Sequence, residues 1–218
     1  ANSSKEAIYL TNSAKSAGAD ASLLVTPYYN KPTQEGLYQH YMLIANEVDL
    51  PQILYNVPSR TGCDLSNDTV MRLVDHQNIV GLKDATGSIE RLKAMMQSLN
   101  TDQKESFSLY SGDDPTSTEF ILNGGVGTIS VTANIVPKTI SDICSLALNG
   151  ETDSAIQLDK QLVRLNEILF IESNPIPIKW MLNRIGRITD GIRLPLTPLD
   201  SKFHHQAEGI LKELNLLN

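Results

Sequence analysis

Short apolar segments alternate with longer amphipathic segments through the N-terminal part of the chain. The apolar segments are bounded by proline or glycine, which is typical of buried strands. Between them, hydrophobic positions recur at the spacing of a helix, as at Leu37, Tyr41 and Ile44. The pattern predicts five strands, over residues 21–26, 51–58, 78–83, 106–112 and 127–132.

The intervening segments predict helices. One helix opens the chain, with Ser3 or Ser4 as its cap and Gly18 at its end. Four more are predicted over residues 33–48, 68–76, 88–99 and 115–122. Strands that alternate with helices in this way predict a parallel sheet with right-handed crossovers.

The strands recur with one spacing, which favours a particular α/β fold. The positions 28 residues apart (53 − 25, 81 − 53 and 109 − 81) are Val25, Ile53, Gly81 and Leu109. Repeated βα units of this length favour a (β/α)8 TIM barrel over a doubly wound sheet. No Gly-x-Gly-x-x-Gly or Walker-type loop follows any predicted strand, which weakens the nucleotide-binding alternative.

The strand pattern stops near residue 135, and four helices are predicted beyond it, over residues 137–148, 153–171, 175–185 and 200–217. We therefore expect a partial barrel over residues 1–135, with strands equivalent to 4–8, and a C-terminal helical region over residues 136–218. A complete barrel has eight βα units, so three more, roughly 80 residues, would be needed. Either the sequence lacks these first three units, or it folds with an open sheet whose edge must be covered.

Composition excludes several classes of function. A net charge of −7 argues against nucleic acid or an anionic membrane as the main partner. Cys63 and Cys144 are too few and too far apart for a disulfide framework or a cysteine metal site. The sequence shows no apolar run long enough to span a bilayer and no signal peptide, so the cytoplasm is the expected location.

Lys83 is the first candidate for chemistry, because it ends an almost wholly apolar strand. Alternation places Ile79, Gly81 and Lys83 on one face of that strand. Desolvation lowers a lysine pKa and supplies a neutral, nucleophilic amine. The alternative is a structural lysine that reaches solvent and pairs with Asp84.

Other polar side chains follow the ends of the neighbouring strands, where a barrel carries its functional groups. Tyr28 and Tyr29 follow the first strand, Tyr55 lies near the end of the second, and Arg60 follows it. A lysine, a phenol and a guanidinium on one rim are what imine chemistry on a keto acid requires: the amine attacks the carbonyl, the phenol moves protons and the guanidinium holds a carboxylate.

The motifs around these residues resemble those of the dihydrodipicolinate synthase/N-acetylneuraminate lyase family, in family order and over the whole chain. They are Thr26 to Asn30, Tyr55 to Gly62, Gly81 to Gly87, Ser111 to Asp114, Ile129 to Asn134, Asn174 to Trp180 and Arg193 to Pro198. The resemblance implies a lyase of the class I aldolase type that condenses pyruvate with L-aspartate 4-semialdehyde to 4-hydroxy-tetrahydrodipicolinate. This reaction belongs to lysine (diaminopimelate) biosynthesis.

The resemblance also implies roles for individual residues. Lys83 would form the Schiff base with pyruvate, with no other cofactor and no metal. Tyr55 would be the proton-relay phenol, and Arg60 would bind the semialdehyde carboxylate. Tyr29 would complete the relay of a neighbouring subunit in a homotetramer, a dimer of tight dimers. Arg60 has a structural alternative, a pair with Asp64.

Further positions match motifs of the pocket and of an allosteric site. Gly112 and Ile129 would line the pyruvate pocket, Ile129 through its backbone carbonyl. Asn2, Glu6 and Tyr28 fall where bacterial members of the family bind the inhibitor lysine. The structural alternatives are Asn2 as a helix cap and Tyr28 and Tyr29 as simple interface aromatics.

Nothing in the sequence matches the family's Gly-Thr-Thr-Gly-Glu-like loop, whose threonines bind the pyruvate carboxylate and bridge two tyrosines. We therefore expect no turnover from these 218 residues alone. Two alternatives remain open. One is another pyruvate-dependent aldolase, such as an N-acetylneuraminate lyase, in which an apolar residue replaces Arg60. The other is a non-catalytic fragment that only associates with other chains.

Overall fold

Five parallel strands form one sheet in chain order, and each strand pairs with the next one along the sequence. The strands are β1 Ser22–Val25, β2 Gln52–Asn56, β3 Ile79–Asp84, β4 Ser108–Ser111 and β5 Gly127–Thr128. The predicted parallel arrangement is confirmed. The structure is a computed structural model that describes residues 1–217.

Seven helices accompany the sheet in the described residues. They are α1 Ser4–Ser16, α2 Gln34–Glu47, α3 Pro58–Thr61, α4 Asn67–Leu73, α5 Ile89–Ser98, α6 Thr101–Ser106 and α7 Ser117–Leu122. A 3₁₀ turn, Asp114–Thr116, precedes α7. The short helices α3 and α6 were not predicted, since each has too few residues to show a helical repeat.

Side-chain caps fix where these helices begin. The Thr33, Ser66 and Ser88 side chains each accept a hydrogen bond from a backbone N–H in the first turn of α2, α4 and α5. Asn100 and Gln103 form a reciprocal capping box at α6. Ser3 occupies the cap position of α1, but its side chain makes no capping bond.

The core of this part lies between the sheet and its helices. Leu54, Leu82 and Leu109 occupy matching positions on three adjacent strands and are almost fully buried. They pack in one cluster with Leu37 and Tyr41 of α2. One face of each central strand is therefore committed to packing, which leaves the other face for Tyr55 and Lys83.

Register differs from the 28-residue spacing. Ile53 does lie opposite Gly81, but Val25 lies opposite Tyr55, and Leu109 lies opposite Leu82. The intervening helices and loops differ in length, so equal sequence spacing does not give equal height in the sheet. The pairing of β2 with β3 also shifts between Gln52 and Ile53.

The fifth strand is shorter than predicted. It ends at Thr128, and residues Thr132–Asn134 form a 3₁₀ turn. The Ser130 hydroxyl accepts a hydrogen bond from the backbone N–H of Ala133 at 2.9 Å. Such local side-chain-to-backbone bonds favour a turn over a strand.

Residues from Ser130 onward form a second compact unit, distinct from the unit Ala1–Ile129. Its helices are α8 Pro137–Leu148, α9 Thr152–Asp159, α10 Val163–Ile168, α11 Ile176–Arg184 and α12 His204–Glu213. They enclose their own core, which includes Leu165, Ile168 and Met181. The predicted helix over residues 153–171 is divided by the 3₁₀ turn Lys160–Leu162. The predicted division after residue 135 stays a prediction.

No helix within residues 1–217 is both long and apolar enough to cross a bilayer.

Candidate active site

Lys83 and Tyr55 lie side by side at the carboxyl ends of β3 and β2. They are register partners across the two strands, so their side chains leave the same face of the sheet. The Lys83 Nζ atom is 4.2 Å from the centroid of the Tyr55 ring. Lys83 is only 8% exposed, so it does not extend into solvent as its structural alternative requires. The Asp84 side chain instead bonds to Asn56 and Thr86.

Burial shifts the ionisation of both groups towards their neutral forms. It lowers the pKa of Lys83, against an opposing attraction from the Asp114 carboxylate. It raises the pKa of Tyr55, against an opposing effect of the Arg60 charge. The pair therefore offers a lysine with a larger neutral fraction than an exposed one and a phenol that keeps its proton at neutral pH.

Gly112 lies directly against Lys83. A Cβ atom at this position would stand 2.8 Å from Lys83 Cε and 2.9 Å from Ala85 Cβ. Its backbone N–H donates to the Asp84 carbonyl at 2.7 Å, which extends the ladder past the end of β4. Only glycine allows the backbone to approach the lysine stem this closely.

Ile129 follows β5 and is 38% exposed. Its backbone N–H donates to the Ser111 carbonyl at 2.9 Å, which holds this residue beside the end of β4. Gly112 and Ile129 thus follow neighbouring strands, and their place in one pyruvate pocket stays a prediction.

Arg60 lies in the short helix α3, which begins two residues after Asn56. Its side chain is exposed, and its charge acts on the Tyr55 phenol. The carboxylate of Asp64, the alternative partner of Arg60, is held by Arg91 at 2.9 and 3.0 Å. The Asp64 carboxylate is therefore paired with Arg91, and the Arg60 side chain stays exposed.

Tyr28 and Tyr29 lie in the loop after β1. Tyr29 is 88% exposed and has a φ of 74°, an uncommon backbone conformation for a residue other than glycine. Its N–H donates to the Thr61 carbonyl at 3.3 Å, which ties this loop to α3. Tyr28 is 44% exposed.

Asn2 and Glu6 lie at the start of α1, beside that loop. The Asn2 carbonyl accepts a hydrogen bond from Asn30 Nδ2 at 2.9 Å. Ser3 rather than Asn2 occupies the cap position, so the structural alternative for Asn2 is wrong. Glu6 is exposed in the first turn of the helix.

Two features of the site were missed at the sequence level. One is the buried Asp114, whose charge acts on Lys83; it belongs to the quoted Ser-Gly-Asp-Asp segment, and that was the available signal. The other is a polar network formed by Asn56, Asp84 and Arg91. The sequence indicates this network only through the polar residues Asn56 and Asp84, which directly follow Tyr55 and Lys83. The described residues contain no group of three or more His, Cys, Asp or Glu that could hold a metal ion.

The model of the dihydrodipicolinate synthetase family matches residues 1–214. The chain belongs to this family. Among curated members, the 4-hydroxy-tetrahydrodipicolinate synthase of Pseudomonas syringae is 54% identical over 217 residues, covering 100% of this chain and 73% of the relative. The synthase of Teredinibacter turnerae is 55% identical over 211 residues, covering 97% and 71%.

Solved structures of the dihydrodipicolinate synthetase family have the same fold. One is the chloride-inhibited dihydrodipicolinate synthase of Acinetobacter baumannii, complexed with pyruvate. It superposes with a TM-score of 0.95 at 54% sequence identity, and the match covers 99% of this chain and 73% of the A. baumannii chain. The synthase of Aquifex aeolicus gives a TM-score of 0.94 at 40% identity, with 99% and 72% covered. The predicted membership of the TIM barrel class is confirmed.

Proposed function

We propose that this protein is a 4-hydroxy-tetrahydrodipicolinate synthase, a lyase that condenses pyruvate with L-aspartate 4-semialdehyde in lysine biosynthesis. The observation that carries the proposal is the buried Lys83 amine 4.2 Å from the Tyr55 ring centroid, in a family whose curated relatives bear this name. The burial of Lys83 supports a role as nucleophile, because a lysine exposed to water stays protonated at neutral pH.

The proposed reaction begins at the carbonyl of pyruvate. The neutral Lys83 amine attacks this carbon, and loss of water gives a protonated imine. The imine nitrogen then accepts the electron pair released when the pyruvate methyl group loses a proton, and the resulting enamine attacks the aldehyde carbon. This addition restores the imine to Lys83. The amino group of the semialdehyde then attacks the imine carbon and displaces the Lys83 amine, which closes the product ring and frees the lysine. Since the imine itself is the electron sink, the proposal requires no cofactor and no metal.

Tyr55 is the proposed proton carrier for these steps. Its ring lies against the Lys83 Nζ atom, and burial keeps its phenol protonated, so it can donate to the departing hydroxyl and take the proton back. Gly112 and Ile129 are proposed to line the pyruvate pocket, since Gly112 contacts the lysine stem and Ile129 follows the adjacent strand.

Arg60 is the proposed site for the carboxylate of the semialdehyde. It is exposed, and its charge acts on the Tyr55 phenol. A guanidinium binds a carboxylate through two parallel hydrogen bonds, which fixes the second substrate in one orientation. This residue also separates the proposal from a sialic-acid lyase, in which an apolar side chain is expected at the same position.

The surface residues have proposed roles in an assembly. Tyr29 is proposed to complete the relay of a neighbouring subunit. Its exposure, together with the backbone hydrogen bond that holds it to Thr61, supports such a contact. Asn2, Glu6 and Tyr28 are proposed as a lysine-binding group between subunits of a dimer of dimers. The cytoplasm is the proposed location, because the substrates are metabolic intermediates.

Trapping the imine tests the proposal. The full-length protein is incubated with pyruvate and borohydride, digested, and analysed by mass spectrometry. We expect a reduced pyruvyl group on Lys83 and its loss in Lys83→Ala. Lys93→Ala is the matched control, because Lys93 is an exposed lysine on α5. Labelling that persists in Lys83→Ala would refute the assignment. Labelling without condensation of aspartate semialdehyde would indicate a different pyruvate aldolase.

A further inference from the structure

A buried amide–carboxylate pair lies directly beyond the proposed catalytic pair. Asn56 and Asp84 follow Tyr55 and Lys83, and they are also register partners across β2 and β3. Because side chains alternate along a strand, they leave the opposite face of the sheet. Asn56 is 0% exposed and Asp84 is 6% exposed. A buried carboxylate needs partners, and these two strands supply them.

Every polar atom of the Asn56 amide group has a partner. Its Nδ2 donates to Asp84 Oδ1 at 3.0 Å and to Asp64 Oδ1 at 2.8 Å. Its Oδ1 accepts from the backbone N–H of Leu65 at 2.9 Å. Asn56 therefore joins the end of β3 to the segment that follows α3.

Asp84 extends the network on the other side. Its Oδ2 accepts from the Thr86 hydroxyl at 2.5 Å, in the turn after Lys83. Arg91 lies between the two carboxylates, with Nε 3.8 Å from Asp84 Oδ1 and Nη1 within 3.0 Å of both Asp64 oxygens. One guanidinium and one amide thus hold two carboxylates in place.

Backbone hydrogen bonds connect this side-chain network to the strand ends that hold the proposed catalytic pair. The Asn56 carbonyl accepts from the Ala85 N–H at 2.9 Å, and the Asp84 carbonyl accepts from the Gly112 N–H at 2.7 Å. Both bonds lie one step beyond Lys83, so they fix the strand ends on each side of it. If Asn56 shifted along the strand relative to Asp84, Tyr55 would shift by the same distance relative to Lys83.

We infer that Asn56 and Asp84 are positioning residues, which hold the Tyr55 ring and the Lys83 amine at the separation that imine formation needs. The inference rests on the proposed function. Neither residue touches the reacting atoms, and both act through the strand register. Geometry of this kind affects rate strongly, because small displacements of reacting groups cost much of the advantage of orientation.

The test compares Asn56→Asp with the exchanged pair Asn56→Asp/Asp84→Asn in the full-length protein. Asn56→Asp replaces the amide donor by a third carboxylate beside Arg91. At saturating pyruvate, we expect the rate constant of borohydride trapping per folded molecule to fall tenfold or more, with little change in the half-saturating pyruvate concentration. The exchanged pair restores one amide–carboxylate bond and is expected to recover most of the rate.

Val70→Ala is the matched control for general destabilisation, since Val70 is fully buried in α4 and its apolar side chain takes no part in the hydrogen bonds of Asn56 and Asp84. It should lower stability and leave the trapping rate per folded molecule unchanged. An Asn56→Asp rate equal to that of Val70→Ala, or no recovery in the exchanged pair, would overturn the inference. If Asn56→Asp does not fold, Asn56→Ser replaces it, with the same expected fall.

A crystal structure of the variant separates this inference from the proposed function. If borohydride traps no pyruvate on the unmodified protein, the proposed function fails. The distance between Lys83 and Tyr55 in the crystal structure then tests the positioning role by itself. We expect the distance from Lys83 Nζ to the Tyr55 ring centroid to depart from 4.2 Å in Asn56→Asp. An unchanged distance would refute the positioning role.

Discussion

At the scale of single residues, the site depends on how closely the backbone approaches Lys83. Gly112→Ala would place a methyl group 2.8 Å from Lys83 Cε and 2.9 Å from Ala85 Cβ, so the lysine stem must move. We expect the rate of imine trapping to fall at least tenfold. Gly209→Ala is the control, because nothing lies within 4 Å of the added atom. Equal rates for the two variants would contradict the close packing.

The charge of Asp114 predicts a second residue-scale effect. Burial lowers the pKa of Lys83, while Asp114 opposes this shift by favouring the ammonium form. Asp114→Asn removes that attraction, so the lysine should lose its proton at a still lower pH. The midpoint of trapping rate against pH should move to lower pH, and Asp68→Asn, at an exposed position in α4, should leave it unchanged. A midpoint that moves upward in Asp114→Asn would show that the sign is wrong.

At the scale of elements, the hydrophobic pattern of the sequence predicted the strands but not how neighbouring strands are aligned. The apolar strands around Leu54, Leu82 and Leu109 were predictable, because each segment must be buried on its helix-facing side. Register was not, since it depends on loop and helix lengths that compensate one another. The Asn56–Asp84 pair was missed for the same reason, because the partnership exists only once β2 and β3 are aligned.

The contact between α1 and α2 predicts a pH dependence of stability. His40 on α2 is buried, and its Nδ1 atom forms a hydrogen bond of 2.8 Å with the Ser4 hydroxyl on α1. Burial lowers the pKa of His40 from 6.5 to about 4. The unfolded chain therefore binds more protons between these values, so stability is present above pH 6.5 and is lost as the pH falls towards 4.

This loss amounts to up to about 3 kcal/mol, at roughly 1.4 kcal/mol for each pKa unit. Urea denaturation at a series of pH values measures it. His40→Gln should flatten the decline between pH 6.5 and 4, while His205→Gln, at an exposed position in α12, should not. A decline of equal size in both variants would assign it to other groups.

At the scale of the whole molecule, the sheet has an open edge within the described residues. β1 pairs with β2 alone, and Leu23 on β1 is 43% exposed. A cleft of about 360 Å³ lies beside it, lined by residues of α1 and β1, including Leu10 and Leu23, and by His40 of α2.

That edge predicts association of the polypeptide that consists of these 218 residues. An unpaired parallel strand offers a row of backbone donors and acceptors to another chain, and the apolar cleft adds burial. We expect sedimentation velocity to show species larger than a 24.0 kDa monomer. Leu23→Lys should shift the distribution towards the monomer, because a charge on an edge strand opposes pairing. Leu148→Lys is the control, since Leu148 is also exposed but lies in α8. A single monomeric species, or equal effects of both substitutions, would show that β1 does not drive association.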